Sequence, residues 1–217
     1  PGSGKTHTVN EYVAFLRAHG IEPAICASTG IAATHIGGMT IHSWSGLGVK
    51  NKLSKSDLNH LADNDYIAKR VYRAKVLIID EVSMLSANTL TMVEAVCRKI
   101  RNNQAPFGGL QAVLVGDFFQ LPPIFKAEAG ARQSAFLEEP PARFAYNSSA
   151  WELTNPIICY LTEQYRQDDN DFLAVLSAIR RNVFNREHWR QIEKRKIDAH
   201  DAPHGITKLF SHNIDVN

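Results

Sequence analysis

The first six residues have the types and spacing of a phosphate-binding loop. Pro1-Gly-Ser-Gly-Lys-Thr matches the end of the pattern G-x-x-x-x-G-K-[ST]. In such a loop, the backbone of Gly2, Ser3 and Gly4 turns tightly, so that its N–H groups face phosphate oxygens. Lys5 reaches the β- and γ-phosphates of a nucleotide, and the Thr6 hydroxyl is placed to bind Mg²⁺. The sequence therefore predicts a nucleoside triphosphate site at its beginning.

A second acidic motif supports this prediction. The apolar run Val76-Leu-Ile-Ile ends in Asp80 and Glu81, which is typical of a buried parallel strand that carries its last residue to the edge of a sheet. There Asp80 can hold Mg²⁺ through water. Glu81 can orient and deprotonate the water that attacks the γ-phosphate. The two motifs together predict binding of ATP or GTP.

Two further segments offer side chains for the γ-phosphate. Val115-Gly-Asp-Phe-Phe-Gln-Leu-Pro-Pro ends a strand, and Gln120 within it can hydrogen-bond the phosphate or the attacking water. The alternative is an ordinary corner between strand and loop with a buried Asp117. Arg166 follows another apolar run and can stabilise transition-state charge. The alternative for Arg166 is a surface salt bridge to Glu163 or Asp168.

The segment between the first two motifs has features of a nucleic-acid site. Ala27-Ser-Thr-Gly-Ile-Ala-Ala and Gly37-Gly-Met-Thr-Ile-His-Ser-Trp combine small hydroxyl residues with a Gly-Gly turn. Such segments expose backbone N–H groups to phosphodiesters. His42 and Trp44 can stack on unpaired bases. The alternative is that Trp44 lies in the core and His42 is structural.

Alternating strands and helices must position these residues. A helix is predicted where apolar residues recur at i, i+3, i+4 and i+7, and a strand where a short apolar run is bounded by turn residues. Strands alternating with helices indicate an α/β fold with a mainly parallel sheet. The helices predicted are 6–18, 86–102, 170–182 and 185–196, and the strands are 23–28, 75–80, 110–116 and 156–161.

Composition excludes several classes of protein. The chain has 217 residues, 44% hydrophobic and 21% charged, which fits a globular protein with one large domain. Three isolated cysteines, without a C-x-x-C pair, argue against a disulfide framework or a zinc site. No apolar run is long enough for a membrane span, so no membrane partner is expected. Basic runs at 98–101 and 180–196 suit either a phosphate-binding face or a solvated helix face.

With these segments in order, the chain resembles the Pif (petite integration frequency) family of superfamily-one 5′→3′ DNA helicases. PGSGKT is similar to helicase motif I, STGIAA with TIHSW to motif Ia and its neighbour, and DEVSM to motif II. GDFFQLPP resembles motif III and TEQYRQ motif IV. The most specific likeness is residues 95–111, AVCRKIRNNQAPFGGLQ, which resemble a stretch peculiar to this family.

The resemblance implies a RecA-like P-loop NTPase domain, with helices on both faces of the sheet. It implies ATP hydrolysis coupled to movement on single-stranded DNA, and unwinding of forks, RNA–DNA hybrids or G-quadruplex DNA. It also implies a monomer acting inside the cell, in a bacterial cytoplasm or a eukaryotic nucleus or mitochondrion, in DNA repair, recombination or telomere maintenance. The implied residues are Lys5, Thr6, Asp80, Glu81, Gln120 and Arg166 at ATP and Mg²⁺, and Thr29, Thr40, His42 and Ser43 on DNA.

The resemblance also predicts how the chain is divided. Residues 1–200 correspond to the first RecA-like domain, without its first strand and the start of its phosphate loop. Residues 201–217 correspond to a linker and the opening strand of a second such domain. Because the family binds ATP between two domains, we expect weak nucleotide and DNA binding and negligible unwinding from these residues alone. The main alternative is a nucleotide-dependent DNA-binding module without helicase activity. A small-molecule P-loop kinase would need an arginine-rich lid, and it would have no use for PFGGLQ or GDFFQLPP.

Overall fold

A computed structural model describes residues 2–123, 144–165 and 168–198, and the single residues 201, 205, 207 and 209. The chain divides into two compact units, Pro1–Arg166 and Gln167–Asn217. The predicted domain boundary near residue 200 falls where few residues are described, and it stays a prediction. Across the described residues, no helix has the length and apolar character needed to cross a membrane.

The first unit is built on a four-stranded sheet in which each neighbouring pair of strands is parallel. The strand order is β2-β1-β3-β4. Every residue of β3 is buried, as expected of a central strand covered on both faces. The strands are β1 (Ala24–Ala27), β2 (Met39–Thr40), β3 (Val76–Asp80) and β4 (Gln111–Leu114).

Helices cover both faces of this sheet. In the first unit they are α1 (Lys5–Ala18), α2 (Gly30–His35), α3 (Ile41–Ser45), α4 (Lys55–Asp63), α5 (Asp65–Arg73), α6 (Ala87–Arg101) and α7 (Ser149–Thr154). On one face, α1 buries Val9, Val13 and Leu16 against Val76 and Ile78 of β3. The larger core on the other face joins α3, α5 and α6 to the alternate β3 residues Leu77 and Ile79. The predicted α/β fold with helices on both faces is confirmed.

One predicted strand is wrong. Residues 156–161 are described, and they contain no strand. Ile157 and Tyr160 are 93% and 80% exposed, so the apolar run is not a buried element. An apolar composition predicts strand only where a neighbouring strand edge supplies cross-strand hydrogen bonds, and no described strand pairs with this segment.

Within residues 95–111, the stretch that resembles the family signature, a turn packs against the helix that precedes it. Pro106–Gly109 forms a short 3₁₀ turn after α6, in which Phe107 takes a left-handed conformation and is buried. The buried Glu94 accepts a hydrogen bond from the Phe107 N–H (3.3 Å) and forms an ion pair with Arg98 (2.7 Å). A Cβ at Gly108 would come within 2.6 Å of the Cys97 carbonyl oxygen. The turn therefore fits against α6 only with glycine at this position.

Arg101 extends this arrangement to α5. Its Nε donates to the Gly108 carbonyl (2.7 Å), and its Nη1 donates to the carbonyls of Tyr72 (2.9 Å) and Ala74 (3.0 Å) at the end of α5. These carbonyls lie at the helix end, where no intrahelical donor remains. Two of the cations in the basic run 98–101, Arg98 and Arg101, therefore have internal partners, and only Lys99 is fully exposed. Arg98 and Arg101 therefore contribute to the packing of α6, and Lys99 is the exposed cation of the run.

The second unit contains two helices within its described residues, α8 (Asn170–Arg180) and α9 (Arg186–Glu193), close to the predicted ranges. Each begins at a side-chain cap, Asp169 for α8 and Asn185 for α9. Arg195 pairs with Asp169 and lies over the Phe172 ring, 5.5 Å from its centre, which ties the two helices together. None of the α9 residues is buried, so its cations lie on an exposed helix face.

Candidate active site and nucleic-acid interface

The predicted site residues of the first unit gather at one edge of the sheet. The carboxyl ends of parallel strands lie at a common edge, where ligands of open α/β sheets bind. Ala27, the last residue of β1, is paired with Asp80 on one side and Thr40 on the other. Leu114, the last residue of β4, is paired with Ile79. Asp80, Glu81, Thr29, Thr40 and the segment leading to Gln120 therefore leave the sheet at this edge.

The phosphate loop has the backbone conformation that its glycines predict. Gly2 and Gly4 have φ values of 80° and 81°, which side-chain-bearing residues rarely adopt. Gly4 precedes the first helical residue, Lys5, and its carbonyl accepts a hydrogen bond from the Thr8 N–H (2.9 Å). The N-terminus of α1 carries a partial positive charge, which suits a phosphate group.

The direction of α1 places Lys5 at the same edge of the sheet. The chain leaves α1 at Ala18 and enters β1 at Ala24, so the carboxyl end of α1 lies near the amino ends of the strands. Tyr12 agrees with this direction, because its hydroxyl donates to Gln111 at the beginning of β4 (3.3 Å). Lys5 precedes Tyr12 by two helical turns, about 10 Å, which is close to the length of β4. The phosphate loop therefore lies towards the edge that carries Asp80.

Asp80 and Glu81 form a constrained acidic turn. Asp80 is 6% exposed, and one of its carboxylate oxygens accepts the Glu81 N–H (2.8 Å). Glu81 has φ 52° and ψ 43°, the left-handed region that is costly for a residue with a side chain. A carboxylate and a hydroxyl such as that of Thr6 are hard oxygen donors of the kind Mg²⁺ prefers. The donor set at this edge therefore fits a magnesium ion.

Ser28 holds this turn from the neighbouring strand. Its N–H donates to the Asp80 carbonyl (3.2 Å), and its hydroxyl donates to the Glu81 carbonyl (2.8 Å). Thr29, a candidate DNA residue, follows Ser28 directly in the sequence. The segment predicted to contact DNA is therefore hydrogen-bonded to the segment predicted to hydrolyse ATP. The sequence places Ser28 among small hydroxyl residues, but its non-local partner could not be deduced from it.

The turn is also joined to the segment after β4. The Val82 N–H donates to the Val115 carbonyl (2.9 Å), and a Cβ at Gly116 would lie 2.9 Å from a Val82 methyl carbon. Asp117 is buried and accepts a hydrogen bond from the Gln120 side-chain amide (3.2 Å). The geometry therefore fits both interpretations of this segment. It can be a corner between strand and loop with a buried Asp117, or it can carry Gln120 as a phosphate sensor. The sensing role of Gln120 stays a prediction.

The candidate DNA residues lie at the beginnings of two short helices. The Thr29 hydroxyl oxygen accepts the Ala32 N–H (3.3 Å) at the start of α2. The Thr40 hydroxyl oxygen accepts the Ser43 N–H (3.2 Å) at the start of α3. Ser43 is exposed and His42 is half-buried, and burial lowers the pKa of His42 below its ordinary value. His42 is therefore neutral at pH 7.

Trp44 is not available for base stacking. It is 2% exposed and packs in the core beneath α3. The core alternative is therefore confirmed for Trp44, and its stacking on bases is wrong. Trp44 anchors the segment that carries the exposed Ser43.

The two ends of the first unit are in contact, and no pattern in the sequence predicted this contact. The Tyr165 N–H donates to the Gly2 carbonyl (2.8 Å), and its ring lies 3.7 Å from the position of a Cβ at Gly4. The Tyr165 hydroxyl donates to Glu163, and this bond raises the pKa of Tyr165. The residue before Arg166 is thus attached to the phosphate loop. Arg166 itself and Pro1 lie outside the described residues, so the role of Arg166 stays a prediction.

Comparisons with known proteins agree with this geometry. The sequence model of the PIF1-like helicase family matches residues 1–186. The ATP-dependent DNA helicase Pif1 of Psychrobacter sp. is 42% identical over all of this chain, and the helicase RRM3 of Saccharomyces cerevisiae is 43% identical over 72% of it. The chain spans 32% and 20% of these two relatives, about a third or less of their length.

Solved structures extend the comparison to the fold. The crystal structure of Pif1 helicase from Candida albicans superposes with a TM-score of 0.79 at 32% identity, over 100% of this chain and 47% of that one. Bacteroides Pif1 in complex with ADP-AlF3 and single-stranded DNA gives a TM-score of 0.77 at 29% identity, over 99% of this chain and 49% of that one. The match in sequence and fold shows that this chain belongs to the PIF1-like helicase family.

Proposed function

We propose that this chain is the ATP-binding motor portion of an ATP-dependent 5′→3′ DNA helicase. The observation that carries the proposal is the pair of hydrogen bonds from Ser28 to Asp80 and Glu81. A motor must link hydrolysis to movement on DNA, and here adjacent residues serve the two tasks. The relatives named ATP-dependent DNA helicases support this assignment.

The proposed hydrolysis uses side chains at the carboxyl edge of the sheet. The backbone of Gly2, Ser3 and Gly4 and the Lys5 ammonium bind the phosphates. Thr6 and Asp80 would hold Mg²⁺, which would neutralise phosphate charge when bound. Glu81 takes a proton from the attacking water. Gln120 and Arg166 contact the γ-phosphate, Gln120 as a sensor and Arg166 as a stabiliser of transition-state charge.

The proposed DNA contacts are made by the adjacent segment. Thr29, Thr40 and Ser43 supply hydroxyl and N–H donors to phosphodiester oxygens, and the neutral His42 contacts a base or sugar. Single-stranded DNA, reached at forks or G-quadruplexes, is the proposed partner, with a monomer as the acting species. The Bacteroides structure containing single-stranded DNA supports the choice of nucleic acid. The proposed location is inside the cell, in a bacterial cytoplasm or a eukaryotic nucleus or mitochondrion.

The decisive experiment measures ATP hydrolysis stimulated by single-stranded DNA. The 217-residue chain is compared with a version lengthened at both ends by the corresponding segments of the Psychrobacter relative, and with Glu81→Gln in that longer protein. We expect weak nucleotide binding and negligible turnover from the chain alone. The longer protein should hydrolyse ATP, and Glu81→Gln should abolish this activity.

Two results would contradict the proposal in different ways. If the longer protein shows no DNA-stimulated turnover but still binds DNA, the chain is a nucleotide-dependent DNA-binding module. If the 217 residues alone separate strands efficiently, the expectation that a second domain is required is wrong.

A further inference from the structure

Arg70 of α5 reaches the segment that carries the candidate DNA residues. Its Nη2 donates to the Ser43 carbonyl oxygen (2.8 Å), across 27 residues of sequence. Ser43 belongs to the last turn of α3, and its carbonyl oxygen accepts the Gly46 N–H (3.3 Å) as well as the Arg70 guanidinium. A charged donor at this position stabilises the end of a short helix that has little stability of its own.

Arg70 is half-buried, and part of its guanidinium is shielded from solvent. Its Nε is buried and has no hydrogen-bond partner among the described residues. The centre of the Tyr66 ring lies 5.4 Å from the guanidinium carbon, within the range of a cation–π contact. Its positive charge also acts on the Cys26 thiol at the end of β1, opposing the burial that raises the pKa of Cys26 to about 12. The charge of Arg70 therefore interacts with groups on α3, α5 and β1.

Apolar packing reinforces this contact. Gly46 ends α3 with φ 77°, and a Cβ there would come within 2.4 Å of the Ile67 side chain. Ile67 precedes Arg70 by three residues, so both side chains lie on the same face of α5. The end of α3 therefore packs on α5 through one close apolar contact, from Gly46 to Ile67, and one charged hydrogen bond, from Arg70 to Ser43.

We infer that Arg70 is a positioning residue of the DNA site, which holds the Thr40–Ser43 segment in its binding geometry without touching DNA. This inference rests on the proposed function, because it assumes that Thr40 and Ser43 contact the nucleic acid. A direct phosphate contact is a different role, and it would require the guanidinium to leave the Ser43 carbonyl. Arg73, one turn further along α5, is exposed and provides a matched cation outside this contact.

The test uses the 217-residue chain and a fluorescent oligothymidylate of about 12 nucleotides, within the range that single-strand sites cover. Affinity is measured by anisotropy at several salt concentrations for the wild type, Arg70→Met, Arg70→Lys and Arg73→Met. Arg70→Met should weaken binding about 5- to 10-fold, as expected for loss of a charged hydrogen bond that fixes the site. Arg73→Met should change it by less than about 2-fold.

The salt dependence separates positioning from contact. Each phosphate contact on single-stranded DNA contributes about 0.7 to the slope of log affinity against log salt concentration. We expect Arg70→Met to keep the wild-type slope and to bind Mg²⁺-ADP as the wild type does. Arg70→Lys, which retains one donor, should recover part of the affinity. If Arg70→Met does not fold, Arg70→Lys still tests the inference, with an expected loss of about 2- to 3-fold and an unchanged slope.

The outcomes that overturn the inference are distinct from failure of the proposed function. A slope lowered by about 0.7 would make Arg70 a direct phosphate contact. Equal affinities of Arg70→Met and Arg73→Met for the oligonucleotide would show that Arg70 has no positioning role. Absence of DNA binding by the wild type, even at low salt, would refute the proposed DNA site itself.

Discussion

Replacement of Arg101 by methionine keeps the apolar stem of the side chain but removes a guanidinium that donates to three carbonyls at 2.7 to 3.0 Å, besides a longer bond to the Val71 carbonyl (3.4 Å). Those carbonyls belong to Gly108 in the Pro106–Gly109 turn and to Tyr72 and Ala74 at the end of α5. Each hydrogen bond to a charged group contributes about 1.5–3 kcal/mol net. The three are not additive, and the partly exposed side chain allows water to replace some of them. We therefore expect a total loss of about 3 kcal/mol in the free energy of unfolding.

The assay is urea denaturation followed by tryptophan fluorescence in a Trp189→Phe background. The two remaining tryptophans, Trp44 and Trp151, then report on the first unit alone. With a urea dependence of about 2–3 kcal/mol per molar, the transition midpoint should fall by about 1–1.5 M. Lys99→Met removes an exposed cation from the same helix, and it should change stability by less than about 0.5 kcal/mol.

A result for Arg101→Met within about 0.5 kcal/mol of the Lys99→Met result would refute this reasoning. It would mean that water satisfies the three carbonyls as well as the guanidinium does. A changed urea dependence with an unchanged midpoint would instead indicate that the variant alters the denatured state.

Gly38→Ala should destabilise the first unit by about 2–4 kcal/mol, because its Cβ would lie 2.3 Å from a backbone carbonyl oxygen of β1. Gly30→Ala, with open space around it, should be neutral in the same urea titration. Ser28→Ala should lower the kcat of DNA-stimulated hydrolysis about 5- to 10-fold in the lengthened protein, with little change in KM, because the Glu81 backbone loses a donor. A wild-type kcat would exclude that role, and Ser28→Thr should retain activity. The pKa of His42 is lowered in the folded state, so the unfolded chain binds more protons just below pH 6.5, and stability rises with pH there. His42→Gln should flatten this rise in unfolding midpoints measured from pH 5.5 to 7.5, and an unchanged slope would contradict it.

The sequence predicted correctly those helices and strands whose burial follows one regular pattern from end to end. β3 is buried at every residue, so its apolar run and terminal acid were sufficient to place Asp80 at the sheet edge. The amphipathic helices α1 and α6 begin and end within about one residue of their predicted bounds. Different methods of assigning helix ends commonly differ from one another by as much.

The features that were missed depend on partners distant in sequence. Ser28 and Glu81 are separated by 53 residues, and Arg101 and Tyr72 by 29. Composition identified neither pairing, because a serine or an arginine has many possible acceptors. The incorrect prediction of a strand at 156–161 has the same cause, a dependence on distant partners. A strand forms only beside a neighbouring strand edge, and apolar residues alone do not reveal whether one is present.

The hydrogen bonds at the carboxyl edge also have a mechanical consequence. Ser28 and Val115 are joined to the backbone of residues 80–82 by bonds of 2.8 to 3.2 Å, from Ser28 to the Asp80 and Glu81 carbonyls and from the Val82 N–H to the Val115 carbonyl. A displacement of the backbone of residues 80–82 must therefore carry Ser28 and Val115 with it or break these bonds. The three loops at this edge are therefore linked through one backbone segment, and we expect a shift of one loop to be passed to the other two.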